Sequence, residues 1–207
     1  MRIRKPLLLG SLAAVILGAT GYVIYAQQQV QVKAGSGIDL RKITFDTQKT
    51  PDIQAGNVKT KRVDSPRDWL EIEVEFEAKD VSPRDAVIPE VIFRYYVAMT
   101  DKNNQPIVLS GDVTHVNVVA GEKYHSAAYV PPSTLGKYTG DFKRFQASSV
   151  KGIGVEILYN GVRVGGGLEG INSKFWETVA PTPGVLSRQE TPFGLLWIDR
   201  YADEKKK

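Results

Sequence analysis

The sequence holds few side chains from which catalysis could be built. Its 207 residues contain no cysteine and only two histidines. Without thiols, disulfides, thiolate metal sites and a cysteine nucleophile are all excluded. His115 and His125 sit in separate segments, and neither belongs to an H-x-H or H-x-x-x-H pair that could hold a metal. A Ser–His–acid relay needs one residue of each kind, yet no serine occupies a G-x-S-x-G elbow. His115 alternates with Val116 and Val118, which assigns it to the more polar strand face with Asn117 and Val113. His125 stands beside Tyr124 and Ser126. Both are expected as surface or half-buried strand residues, and no catalytic, cofactor-binding or metal-ligating residue is expected.

Three further patterns invite a chemical reading. GGGLEG at 165–170 fits G-x-G-x-x-G, but it follows a hairpin and fewer than forty residues remain. A dinucleotide site needs a helix and a further parallel sheet there, so a flexible or bulged strand end is expected instead. Glu71, Glu73, Glu75 and Glu77 form a carboxylate row about 7 Å apart along a strand. A straight ladder cannot converge on calcium. The expected role is a solvated face, balanced across an antiparallel pair by Lys59 and Lys61 of the preceding segment. Last come the aromatics Phe175, Trp176, Phe193, Trp197 and Tyr201. Aromatics on loops can stack on sugars or anchor a protein partner, although more of them complete cores. Trp176 and Trp197 are the candidate contacts.

The elements that must position these residues are strands. Leu70, Ile72, Val74, Phe76 and Ala78 alternate with the four glutamates, a period of two. Residues 90–100 (EVIFRYYVAMT) read as a central strand buried on both faces. DKNNQP at 101–106 is a turn. Residues 107–119 resume a strand in which Gly111 marks a bulge or bend, and 123–130 end at Pro131-Pro132. Residues 152–159 and 162–168 flank Asn160-Gly161, a hairpin signal because both positions of that turn need positive φ. A weaker strand covers 38–46, a short basic one 58–63, and a last one 193–201. One or two helical turns fit within 133–145 and 172–179. The expected fold is an all-β, immunoglobulin-like antiparallel β-sandwich over 38–202, preceded by an N-terminal hydrophobic helix.

That helix comes from residues 1–26. Arg2, Arg4 and Lys5 precede an uncharged run from Leu7 to Ala26, long enough to cross a bilayer. A cleaved signal peptide ending at Ala26 and an uncleaved transmembrane anchor both fit. Either sends the rest of the chain across the membrane. Residues 27–37 (QQQVQVKAGSG) read as a flexible linker and 203–207 as a frayed basic tail. Of the 27 Lys and Arg residues, the three at the N-terminus leave 24 against 23 Asp and Glu. This balance gives no sign of a nucleic-acid partner.

LYNGVRVGGGLEG, FWE and ETPFGLLWIDRY, together with DWLEIEVEFE, resemble immunoglobulin-like β-sandwich proteins encoded beside type IV pilus-like components in mucosal bacteria of the Verrucomicrobia type. The resemblance spans most of 38–202. It implies an envelope protein with a hydrophobic N-terminal helix and a sandwich head, in or near a pilus-like secretion or adhesion machine. It implies no catalytic residues. Gly10 is followed by Ser-Leu-Ala-Ala-Val, without the glutamate of a bacterial pilin, so an accessory or anchored role is expected rather than a processed subunit. The expected function is a non-enzymatic, exported or membrane-anchored protein that binds envelope proteins. The alternatives are a carbohydrate-binding module using Trp176 or Trp197, and a small periplasmic hydrolase.

Overall fold

The structure is a computed structural model that describes residues 29–53, 56 and 63–206. The export segment and the hydrophobic helix expected over 1–26 lie outside the described residues. Among those described, no helix is long and apolar enough to cross a membrane.

Among the described residues, eleven strands and one α-helix follow in chain order: β1 (Gln31–Val32), β2 (Ile38–Lys49), β3 (Asp68–Ala78), β4 (Val81–Ser82), β5 (Val87–Thr100), β6 (Pro106–Val119), β7 (Lys123–Val130), α1 (Pro132–Thr139), β8 (Val150–Tyr159), β9 (Val162–Glu169), β10 (Thr182–Pro183) and β11 (Leu186–Ser187). Nine of the strands form a five-stranded sheet in the order β10-β6-β5-β8-β9 and a four-stranded sheet in the order β11-β7-β3-β2, and β1 and β4 pair with each other. Apart from the parallel β10–β6 contact, pairing within both sheets is antiparallel. The chain is therefore an all-β sandwich.

The core lies between the sheets. From β3 it takes Leu70, Ile72, Val74 and Phe76, and from β5 Val91, Phe93, Tyr95 and Val97, all with no exposure. Each such side chain contributes about 1.5–3 kcal/mol by leaving water. The alternation along β3 and the two-sided burial of β5 are as the sequence implies. Tyr96 and Ala98, on the outer face of β5, are also buried, under Phe175 and Trp176. Asn160 (φ 49°) and Gly161 (φ 78°) turn the β8–β9 hairpin in the left-handed region their types favour.

Several expectations are corrected. Residues 193–201 are not a strand: they form 3-10 turns, Pro192–Leu195 and Ile198–Arg200, lying over the outer face of the four-stranded sheet. The expected partners of the glutamate row, Lys59 and Lys61, lie outside the described residues. The two flanks of β3 are filled by β2 and β7. The row is half-buried rather than solvated. The supposed linker is fastened from Val30 onward. β1 pairs with β4, Gly35 N donates to Arg163 O at 2.9 Å and Lys33 N to Asp80 O at 3.1 Å. Glu204, expected in the frayed tail, is 7% exposed.

The C-terminal segment from residue 182 onward seals one open side of the sandwich. Residues 182–187 step from β6 to β7, pairing with one through β10 and with the other through β11. Gly111 is needed there. A Cβ on it would lie 2.0 Å from Val185 O, so it permits close passage of a second backbone. Residues 201–205 bridge the same two strands. Ala202 N donates to His125 O at 2.9 Å, Val116 N to Asp203 O at 2.9 Å and Lys205 N to Thr114 O at 2.8 Å.

Candidate functional site

His115 is fully buried, not on a polar face. Asn117 adopts φ 55° and resets the alternation by one residue. Val113 and His115 point inward before it, and Val118 points inward after it. A two-residue period could not show this reset, although Asn is a residue that tolerates the left-handed region.

The histidine sits in a chain of buried hydrogen bonds. Its Nδ1 lies 3.2 Å from Asp203 O, its Nε2 lies 2.6 Å from Ser126 Oγ, and Tyr95 OH donates to Ser126 Oγ at 2.6 Å. A carbonyl oxygen can only accept, so Nδ1 carries the proton, Nε2 accepts and Ser126 donates. Burial lowers the His115 pKa to about 4. Serine and histidine approach as in a nucleophile–base pair, but the third partner is a backbone carbonyl, and neither side chain reaches solvent. In this geometry the chain satisfies buried polar groups. His125, half-buried on β7, stands opposite Glu75, about 10 residues from His115 in sequence but outside that chain of bonds. Among the described residues, no group of three His, Cys, Asp or Glu side chains could hold a metal ion.

The five singled-out aromatics separate. Phe193 stacks on Tyr129 at 4.5 Å and meets Trp69 edge-on at 5.5 Å. With Ala127 and Tyr201 they form a satellite core on the outer face of the four-stranded sheet. Phe175 and Trp176 form a second satellite core on the other sheet, where Trp176 lies flat on Tyr96 at 4.3 Å. A shallow cavity of about 180 Å³ beside Trp176 is lined by Glu156, Arg163 and Lys174. Trp197 belongs to neither core. It is 50% exposed, between Leu195 (73%) and Ile198 (61%), and its φ is 51°.

The loop bearing Trp197 is held from both ends. Buried Arg188 donates to Gly194 O at 3.2 Å and Leu196 O at 2.9 Å, and its guanidinium lies 5.0 Å from the Tyr201 ring. Arg188 also faces buried Glu204 at 3.8 Å. Burial raises the Glu204 pKa, opposed by the Gln189 N–H and by Arg188. Past the loop, Arg200 forks onto Glu73 at 2.6 and 3.0 Å, and Tyr201 OH donates to the same carboxylate at 2.9 Å. Burial alone would raise the Glu73 pKa, but these donors outweigh it and the pKa is lowered. Trp197, Arg200, Glu71, Glu73 and Gln48 border a surface cavity of about 360 Å³. The result is a rigid frame presenting three apolar side chains beside fixed charges. A β-branched or aromatic residue at positive φ costs about 1–3 kcal/mol and persists only where its surroundings enforce it. Sequence periodicity cannot reveal that strain.

Two antiparallel sheets, with satellite cores on both outer faces and one side sealed by the C-terminal segment, define a β-sandwich protein. A family model matches residues 26–207, and the chain belongs to that family. A crystal structure from Akkermansia muciniphila is similar, with a TM-score of 0.69 and 25% identity, over 86% of this chain and 95% of that one. Among curated proteins, none matches.

Proposed function

We propose that this is a non-enzymatic cell-envelope protein of immunoglobulin-like architecture, exported or anchored through residues 6–26, that binds protein partners through the Trp197 loop. The observation that carries the reading is Trp197 itself, held at φ 51° and half exposed between Leu195 and Ile198. Exposed apolar side chains on a preorganised loop, bordered by charged groups, are the make-up of a protein interface centre. The motif resemblance to sandwich proteins encoded beside type IV pilus-like components supports partners in a pilus-like assembly. The family match over 26–207 is consistent with it.

The test places a photoreactive phenylalanine analogue at position 197 of the full chain in producing cells, with a control at Val162, which is 52% exposed on β9. Adducts with envelope proteins at 197 and not at 162 are expected. Equal labelling at both positions, or none at 197, defeats the reading. Mass measurement of the protein from membrane and soluble fractions reports separately whether the N-terminal segment is retained.

A second reading rests on Trp176. One indole face is stacked on Tyr96, while Glu156, Arg163 and Lys174 flank the adjoining cavity, an arrangement suited to a sugar ring. A glycan-induced change in tryptophan fluorescence that Trp176→Phe abolishes and Trp197→Phe spares would favour it over protein binding.

A further inference from the structure

A second surface lies at the end of the sandwich where β2 stops and β3 starts. A cavity of about 530 Å³ opens there between the loop before β3 and the segment after α1, lined by Lys49, Arg67, Phe142, Lys143 and Arg144. Phe142 is 52% exposed. Its ring rests over Gly136 of α1, where a Cβ would come within 2.4 Å of it, so the helix glycine makes its seat.

Two acids beside the cavity, Asp68 and Asp141, are already engaged. Asp68 pairs with Lys49 and accepts from Phe145 N at 2.9 Å. Asp141 Oδ1 accepts from Lys143 N at 2.8 Å and Arg144 N at 3.0 Å. Among the described residues, the side chains of Arg67, Lys143 and Arg144 form no salt bridge. Three exposed cations thus surround an exposed aromatic ring. The chain enters the sandwich at the other end, where β1 pairs with β4 just past the C-terminus of β3. The length of β3 puts about 33 Å between the two ends.

We propose that this end binds an extended polyanion, a polysaccharide carrying sulfate or carboxylate groups. The cavity is wide and open, and its cations stand around the rim rather than converging on one buried point, so they suit charges spaced along a polymer. Guanidinium forks match sulfate and carboxylate oxygens, and Phe142 offers the apolar face on which a sugar ring packs. A bilayer is the poorer fit, because the described chain begins at the opposite end, with β1 against β4, and the apolar run 7–26 precedes it in the sequence.

The probe is heparin, titrated into the full chain in detergent, beside uncharged dextran, polyglutamate and vesicles containing an anionic phospholipid. Heparin binding is expected, weakening at least about tenfold between about 50 and about 200 mM salt. The Arg67→Ala/Arg144→Ala variant, and separately Lys143→Glu, each weaken it about tenfold or more at the lower salt. Lys123→Ala at the opposite end, and Trp197→Ala, leave it unchanged. These positions are all exposed, and circular dichroism checks that the variants fold. Heparin binding no better than dextran, binding indifferent to the Arg67 and Arg144 changes, or binding of only vesicles or polyglutamate overturns the proposal. Each outcome is independent of the photo-adducts at position 197.

Discussion

The buried His115 makes the stability of the sandwich depend on pH in a way that can be worked from the geometry. Folded, the ring is neutral: Nδ1–H is committed to Asp203 O and Nε2 accepts from Ser126. Protonation would add an Nε2–H aimed at an oxygen that already receives the Tyr95 hydroxyl. Its pKa falls from 6.5 to about 4. The unfolded chain therefore binds more protons than the folded one between these values, so stability rises with pH through that window. The contribution is complete above 6.5 and is lost as pH falls toward 4. A tenfold change in proton affinity is worth about 1.4 kcal/mol, so roughly 2 kcal/mol goes by about pH 5 and about 3 in all.

Urea unfolding of residues 29–207 between about pH 7.5 and about pH 4.5 measures this directly. Glu204 acts in the opposite sense, because its raised folded pKa relieves a penalty as pH falls. The diagnostic quantity is therefore the difference between wild type and His115→Gln. The variant is expected to be less stable at neutral pH and to lack about 2 kcal/mol of the acid-side slope. An unchanged slope, or a His115 ring that titrates near its ordinary value by NMR, would refute the buried neutral tautomer.

Other outcomes follow from single contacts. Gly154→Ala places a Cβ 2.1 Å from Trp176 Cζ3; it should destabilise by about 1–3 kcal/mol and shift tryptophan emission as the indole leaves Tyr96. Arg188→Ala leaves Glu204 buried without its cation and should cost about 3–5 kcal/mol in urea unfolding, while an Arg188→Met/Glu204→Leu pair recovers most of it. Trp197→Gly removes the positive-φ strain, so its unfolding free energy should stay within about 1 kcal/mol of wild type, and yet a partner complex identified by photo-crosslinking should be lost. Deleting residues 203–207 removes the bonds at Val116 and Thr114, and proteolysis should then become faster at the β6–β7 side.

The legible parts of this fold are those where one face meets a core and the other meets something different. Along β3, glutamate and aliphatic residues alternate, and β5 reads as doubly buried because nearly every position is apolar. The Asn160-Gly161 turn follows from two φ values. Much of what is hidden shares one physical origin: the C-terminal segment is shaped by the sandwich it lies on. Residues 193–201 alternate loosely like a strand, but Arg188 captures the carbonyls of Gly194 and Leu196, and Glu73 captures Arg200 and Tyr201. Those bonds replace a strand ladder with 3-10 turns. The carboxylates of β3 are plain in the sequence as a row, but Arg200 and Tyr201, which bind Glu73, stand more than half the chain away, a separation no local pattern carries.

The same dependence explains why Trp176 and Trp197 look alike in the sequence and yet differ. Each follows a phenylalanine, Phe175 directly before Trp176 and Phe193 four residues before Trp197, and composition gives them equal standing. Trp176 finds a flat partner because Gly154 leaves room above β8 for its ring and Tyr96 supplies the face. Trp197 finds none, because Phe193 already fills the groove between Trp69 and Tyr129. With that groove occupied and the backbone clamped by Arg188 on one side and Glu73 on the other, the next indole has nowhere to go but outward. Its exposure is thus a consequence of how well the neighbouring aromatic packs. Replacing Phe193 by alanine should let Trp197 turn inward, lowering its solvent quenching while weakening the fold; emission that stays as exposed as in wild type would show that the loop clamp alone sets its direction.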